Sequence, residues 1–89
     1  MMIIDLYRKP VCRMCDATER AFAKAGVGYV ERSALDHLDE LRARGFASAP
    51  VVIVRDGDDE VMAWSGLRPD LIRKASALWL AAAREAMAS

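Results

Sequence analysis

The stretch Pro50-Val51-Val52-Ile53-Val54 constrains the fold most, because it is continuously apolar and β-branched. A strand of that composition is buried on both faces in the middle of a sheet. The proline suits its first position, where a missing ladder donor is tolerated. Asp56-Gly57-Asp58-Asp59 then supplies a tight turn into Val61-Met62-Ala63-Trp64, so these two segments are expected as antiparallel neighbours.

The remaining segments supply the layers such a strand requires. Met2-Ile3-Ile4-Asp5-Leu6-Tyr7 is a second apolar run, ending at Arg8-Lys9-Pro10. From Cys12 the period changes: Cys15, Thr18, Phe22 and Ala25 recur at helical spacing up to a stop at Gly26. Val27 to Glu31 reads as a short strand, and Leu35 to Arg44 as a helix with Leu38 and Leu41 inward and Asp36, Asp39 and Glu40 in solvent. Pro69 opens a last helix whose stripe of Leu71, Ile72, Ala75, Leu78, Trp79 and Ala82 carries it towards Ala88. With 89 residues, one domain spanning 1–89 is expected. The order strand, helix, strand, helix, strand, strand, helix predicts an α/β chain of the thioredoxin-like layout (βαβαββα). Its four-stranded mixed sheet is flanked by three helices, on both faces.

Lysine plus arginine equals aspartate plus glutamate at 13 each, so no net field recruits nucleic acid or an anionic membrane. The charge is uneven, with Arg8, Lys9 and Arg13 around the first cysteine and Asp56, Asp58, Asp59 and Glu60 crowding the middle. The amino terminus does not resemble a signal peptide, and Ala75 to Ala83 falls short of the roughly 20 residues of a membrane span. A cytoplasmic protein is expected. In a reducing compartment a closely spaced cysteine pair reads as redox or metal chemistry.

Cys12 and Cys15, the only two cysteines, lie one turn apart, within reach of a reversible disulfide. Cys12 falls at a helix start, where unpaired backbone N–H groups and the macrodipole favour a thiolate, as do Lys9 and Arg13 nearby. Cys12 is therefore expected to attack and Cys15 to resolve the mixed disulfide. Structural zinc needs four ligands, and the chain offers only His37 besides the pair; that histidine is expected at the surface. A copper-chaperone domain places strand after strand where this chain has a helix. Cysteines that merely pack are the remaining alternative.

Two further stretches point to the same site. Ala49-Pro50 precedes the central strand, and Trp64-Ser65-Gly66-Leu67-Arg68-Pro69-Asp70 joins tryptophan, glycine and arginine at a strand-to-helix turn. Together with Lys9-Pro10 before the cysteines, Ala17-Thr18 after them, Lys24-Ala25-Gly26-Val27 and Ala49-Pro50-Val51-Val52, this segment resembles the NrdH-redoxins, to about Ala75. These are glutaredoxin-like proteins that behave like thioredoxins and reduce class Ib ribonucleotide reductase.

The resemblance implies an oxidoreductase that takes electrons from thioredoxin reductase, supplied by NADPH, and passes them to the large subunit of class Ib ribonucleotide reductase. It implies a cis Ala49-Pro50 bond beside the dithiol. A substrate-facing wall of Lys9, Pro10, Val11, Arg13, Met14, Ala49, Pro50, Trp64, Ser65, Gly66, Leu67 and Arg68 is expected. No bound cofactor is expected beyond the reversible disulfide, since the chain has no nucleotide-binding fingerprint, and a monomer is expected. Three departures stand out: Leu67 replaces the usual aromatic, Arg13 and Met14 replace an apolar residue and glutamine, and the last helix runs past the usual end. A glutathione-dependent glutaredoxin is the alternative, though glutathione sites more often show Gly-Gly where Ser65-Gly66 stands. A metal-binding Cys-x-x-Cys module is the other.

Overall fold

A computed structural model describes residues 1–88. Its elements are β1 (Met2–Arg8), α1 (Arg13–Lys24), β2 (Val30–Ser33), a 3-10 turn (Leu35–His37) leading into α2 (Leu38–Ala43), β3 (Val51–Asp56), β4 (Asp59–Ser65) and α3 (Pro69–Ala88). The strands lie in the order β2-β1-β3-β4. β1 runs parallel to β2 and antiparallel to β3, and β3 runs antiparallel to β4.

The central strand behaves as its composition requires. Val52 and Val54 enter one cluster with Ile4, Leu6, Phe22, Trp64, Ile72 and Ala75, between the sheet and helices α1 and α3. Val51 and Ile53 enter a second cluster on the opposite face with Ala34 and Leu41, under α2. Phe22 is wholly buried, a burial that stabilises by about 2–3 kcal/mol. Leu71, Trp79 and Leu80 pack against the first cluster, so α3 caps this core to just past its midpoint.

The second strand and the second helix depart from their predicted bounds for reasons the structure shows. The second strand begins at Val30, because Gly26 and Val27 are used to close α1: the Gly26 N–H bonds the Ala23 carbonyl at 3.1 Å and the Val27 N–H bonds the Phe22 carbonyl at 3.0 Å. That is the paired-bond termination of a helix with a left-handed glycine, here at φ +75°. The second helix is broken at its start: Leu35–His37 is a 3-10 turn, and His37, at φ −124°, leaves the helical region before α2 begins. His37 is half-buried rather than a free surface residue. Its ring meets Tyr7 edge-on at 5.2 Å, and its Nδ1 lies 3.0 Å from the Ser33 carbonyl.

The register brings the site segments together. Tyr7 pairs with Val51, Val51 with Ser65, and Arg8 with Ser33. The end of β1, the start of β3 and the end of β4 therefore meet at one end of the sheet.

Candidate active site

β1 delivers the chain into Lys9-Pro10-Val11, and the backbone there is forced. Val11 adopts φ +51° with its side chain fully in solvent, at 102% relative exposure. A β-branched residue in the left-handed region is strained by about 1–3 kcal/mol, and such residues concentrate where function over-determines the backbone. The bend lets Cys12 enter as the N-cap of α1, extended at φ −132° and ψ 107°.

Cys12 and Cys15 form a disulfide with Cα atoms 5.2 Å apart. Cys15 has no exposed surface, whereas Cys12 is only half-buried. The Cys15 N–H donates to the Cys12 sulfur at 3.1 Å, and the Asp16 N–H donates to the Cys12 carbonyl at 3.0 Å. A thiolate on Cys12 would receive the same N–H and the positive end of α1. Of the two cysteines, only Cys12 presents surface to an incoming group.

Of the three basic residues near Cys12 in the chain, one is claimed by carboxylates. Arg8 donates from Nη1 to Asp16 Oδ1 at 2.9 Å and also to Glu19, and the Asp16 hydrogen bond above all holds its proton more tightly than usual. Lys9 and Arg13 have no ion-pair partner among the described residues. Glu19 is the hub of this cluster, accepting also from the Tyr29 hydroxyl at 3.1 Å. Burial, reinforced by Glu19, pushes the Tyr29 phenol up; hydrogen-bonding contact with Glu19 pushes the Glu31 carboxyl up. Sequence reasoning missed the cluster. Its only signal is the i, i+3 spacing of Asp16 and Glu19, which puts both on the α1 face that meets β1 and β2.

The Ala49-Pro50 bond is cis, and the Pro50 ring is fully buried. The Pro50 carbonyl accepts the Gly66 N–H at 2.8 Å, which ties the Trp64–Arg68 turn to the proline. Gly66 sits at φ +84°, a conformation that only glycine takes without strain. Trp64 is 4% exposed and belongs to the main core, so its side chain supports the turn instead of meeting a partner. Its Nε1–H is buried without an acceptor. Ser65 and Gly66 are half-buried, and Leu67 and Arg68 are exposed. Arg68 is held by Asp70 in the first turn of α3, through Nε at 3.3 Å and Nη2 at 3.1 Å. That pairing holds the Asp70 carboxyl below its ordinary range. Pro10, Val11, Arg13 and Met14, adjacent to the cysteines in the chain, and Leu67, after Gly66, are exposed.

A half-buried cysteine whose sulfur caps a helix, backed by a buried partner cysteine, makes this protein a thiol–disulfide oxidoreductase on a thioredoxin-like frame. The sequence model of the glutaredoxin family matches residues 4–59. Over 77 residues the chain is 39% identical to the glutaredoxin-like protein NrdH of Escherichia coli (strain K12), covering 82% of this chain and 88% of that one. Its counterpart in Salmonella typhimurium (strain LT2) is 37% identical with the same coverage. Among solved structures, the NrdH-redoxin of Escherichia coli, described as having a thioredoxin-like activity profile, superposes with a TM-score of 0.66 at 34% identity. That match covers 80% of this chain and 91% of that one. Desulfothioredoxin of Desulfovibrio vulgaris Hildenborough, at 19% identity and a TM-score of 0.66 over 90% of this chain and 80% of that one, shares the fold alone. The chain belongs to the glutaredoxin family, among its NrdH-type glutaredoxin-like proteins.

Proposed function

We propose that this redoxin carries two electrons from thioredoxin reductase to protein disulfides, foremost that of the class Ib ribonucleotide reductase large subunit. The observation that carries the proposal is the asymmetry of the dithiol: a half-buried Cys12 whose sulfur accepts the Cys15 N–H, and a Cys15 with no exposed surface. The Cys12 thiolate attacks one sulfur of the substrate disulfide, forming a mixed disulfide and releasing a substrate thiolate. Cys15 then loses its proton and attacks the Cys12 sulfur, closing Cys12–Cys15 and releasing the second thiolate. Two electrons and two protons pass from protein to substrate. The reductase returns them.

In this proposal the 1–89 chain works as one domain and one monomeric carrier in the cytoplasm, with the reversible disulfide as its only redox group. Among the described residues no helix is long and apolar enough to cross a membrane. Exposed Pro10, Val11, Met14 and Leu67 offer apolar contact to a protein partner. Lys9 and Arg13 supply charge, and Ala49-Pro50 with Trp64 to Arg68 forms the wall behind them. These exposed apolar residues favour a protein partner over glutathione, a small charged tripeptide.

The test is reduction of insulin disulfides with two electron supplies. NADPH with thioredoxin reductase is expected to sustain turnover, and glutathione with NADPH and glutathione reductase is not. Turnover supported only by glutathione would assign the protein to the glutathione-dependent glutaredoxins.

A further inference from the structure

Beside the dithiol end of the sheet, helices α1 and α3 part to leave an open groove of about 770 Å³. We propose that this groove docks the chain segment flanking the substrate's disulfide, and that the segment it selects is extended, apolar and acidic. This deepens the protein-disulfide reading above and rests on it.

Position is the first observation. The groove begins at Ala17, two residues past Cys15, and at Leu67, which follows the glycine bonded to the Pro50 carbonyl. It ends near Ala25, eight residues along α1 from Ala17, so it runs about 12 Å, the reach of roughly four extended residues. A chain leaving a mixed disulfide on Cys12 has this channel beside it.

The second observation is charge. Lys24 and Arg73 line the groove, neither has an ion-pair partner among the described residues, and no acidic residue lines it. Arg8, Arg32, Arg44, Arg55 and Arg68 are each matched by a carboxylate, whereas Lys24 and Arg73 belong to the cations without one among the described residues and face the groove together. An apolar trough carrying two unmatched cations is complementary to an apolar strand with aspartates or glutamates.

The experiment uses the full chain, reduced with dithiothreitol and freed of it, in single turnovers without any reductase. Two synthetic peptides share one disulfide; one is extended by six residues containing three aspartates and two leucines, the other by six uncharged polar residues. The acidic apolar peptide is expected to react about tenfold faster, and 0.5 M salt to erode the advantage. The double variant Lys24→Glu/Arg73→Glu should abolish the advantage while leaving the rate with a small aromatic disulfide unchanged. Equal rates for the two peptides, or an advantage that survives the double variant, would overturn the proposal. Concentration-dependent dimerisation abolished by that variant, with no peptide preference, would assign the groove to a second copy of this chain instead. Failure of the wild-type protein to reduce either peptide would overturn the protein-disulfide reading itself.

Discussion

Replacing Val11 by glycine separates what the fold requires from what the site requires. Val11 is β-branched, stands at φ +51°, and has a side chain entirely in solvent. No burial is lost on truncation, so the folded state changes only by relief of backbone strain, about 1–2 kcal/mol for a residue in the left-handed region. Glycine also gives the unfolded chain more freedom, an opposing change of roughly 0.5–1 kcal/mol. The net expectation is a stabilisation between about 0 and 1.5 kcal/mol, centred near 0.75 kcal/mol, which for a domain of this size raises Tm by about 3–6 °C. Thermal unfolding of the oxidised protein followed by circular dichroism measures it. Val11→Asn, which tolerates the same conformation with less unfolded-state freedom, should be at least as stable as the glycine variant. Both variants should lose kcat/KM on insulin while reducing a small aromatic disulfide at the parent rate, because the exposed side chain meets only a protein-sized partner. A fall in Tm for both variants would refute the strain argument.

Three further outcomes follow from the fold. Asp5 is 2% exposed on β1 and accepts from Arg32 Nε at 2.9 Å and Arg55 Nη2 at 2.6 Å. Both guanidiniums keep substantial solvent contact, so Asp5→Ala should cost about 2 kcal/mol in urea unfolding, below the range for a fully buried pair. A hydrogen placed at the Gly28 Cα would become, in Gly28→Ala, a Cβ 3.0 Å from the Trp79 ring, so a loss of about 0.5–1.5 kcal/mol and altered Trp79 fluorescence are expected. Glu31 holds its proton above the ordinary 4.5 because it contacts Glu19. A carboxyl raised in this way contributes stability below its unfolded value and loses it as pH rises through its folded value. Glu31→Gln should therefore raise Tm at pH 7, with the gain vanishing below about pH 4; a gain larger at pH 4 than at pH 7 would contradict that origin.

Much of this was legible in the residues. The unbroken apolar run from Val51 to Val54 predicted a strand with helices over both faces, and Asp56 to Asp59 predicted the hairpin; burial pattern and pairing agree. The helix start at the dithiol was legible to within one residue, since Cys12 is the cap and Arg13 the first helical position. What stayed hidden depended on which faces meet across the sheet. Sequence proximity made Arg8 look like part of the positive surround of Cys12, but Asp16 and Glu19 claim it from the adjacent helix face. The aromatic in the Trp64 to Asp70 turn suggested a surface contact, yet the alternation of β4 turns Trp64 into the core, while Leu67, past the end of the strand and the left-handed Gly66, lies outside. Val27 has strand composition, but the closing bonds of α1 consume it first. Even Asp5 gave a signal, as one charge between Ile4 and Leu6 in a buried run, without revealing that two arginines on neighbouring strands meet it.

The division of labour between the two sulfurs is the centre of the account, and trapping tests it most directly. Cys15→Ser, incubated reduced with a disulfide-bridged peptide, is expected to accumulate a mixed disulfide whose attachment peptide mapping by mass spectrometry assigns to Cys12. Cys12→Ser, which leaves only a sulfur without exposed surface, is expected to accumulate none. An adduct on Cys15 in Cys12→Ser, with none on Cys12 in Cys15→Ser, would reverse the roles that the helix cap and the burial assign.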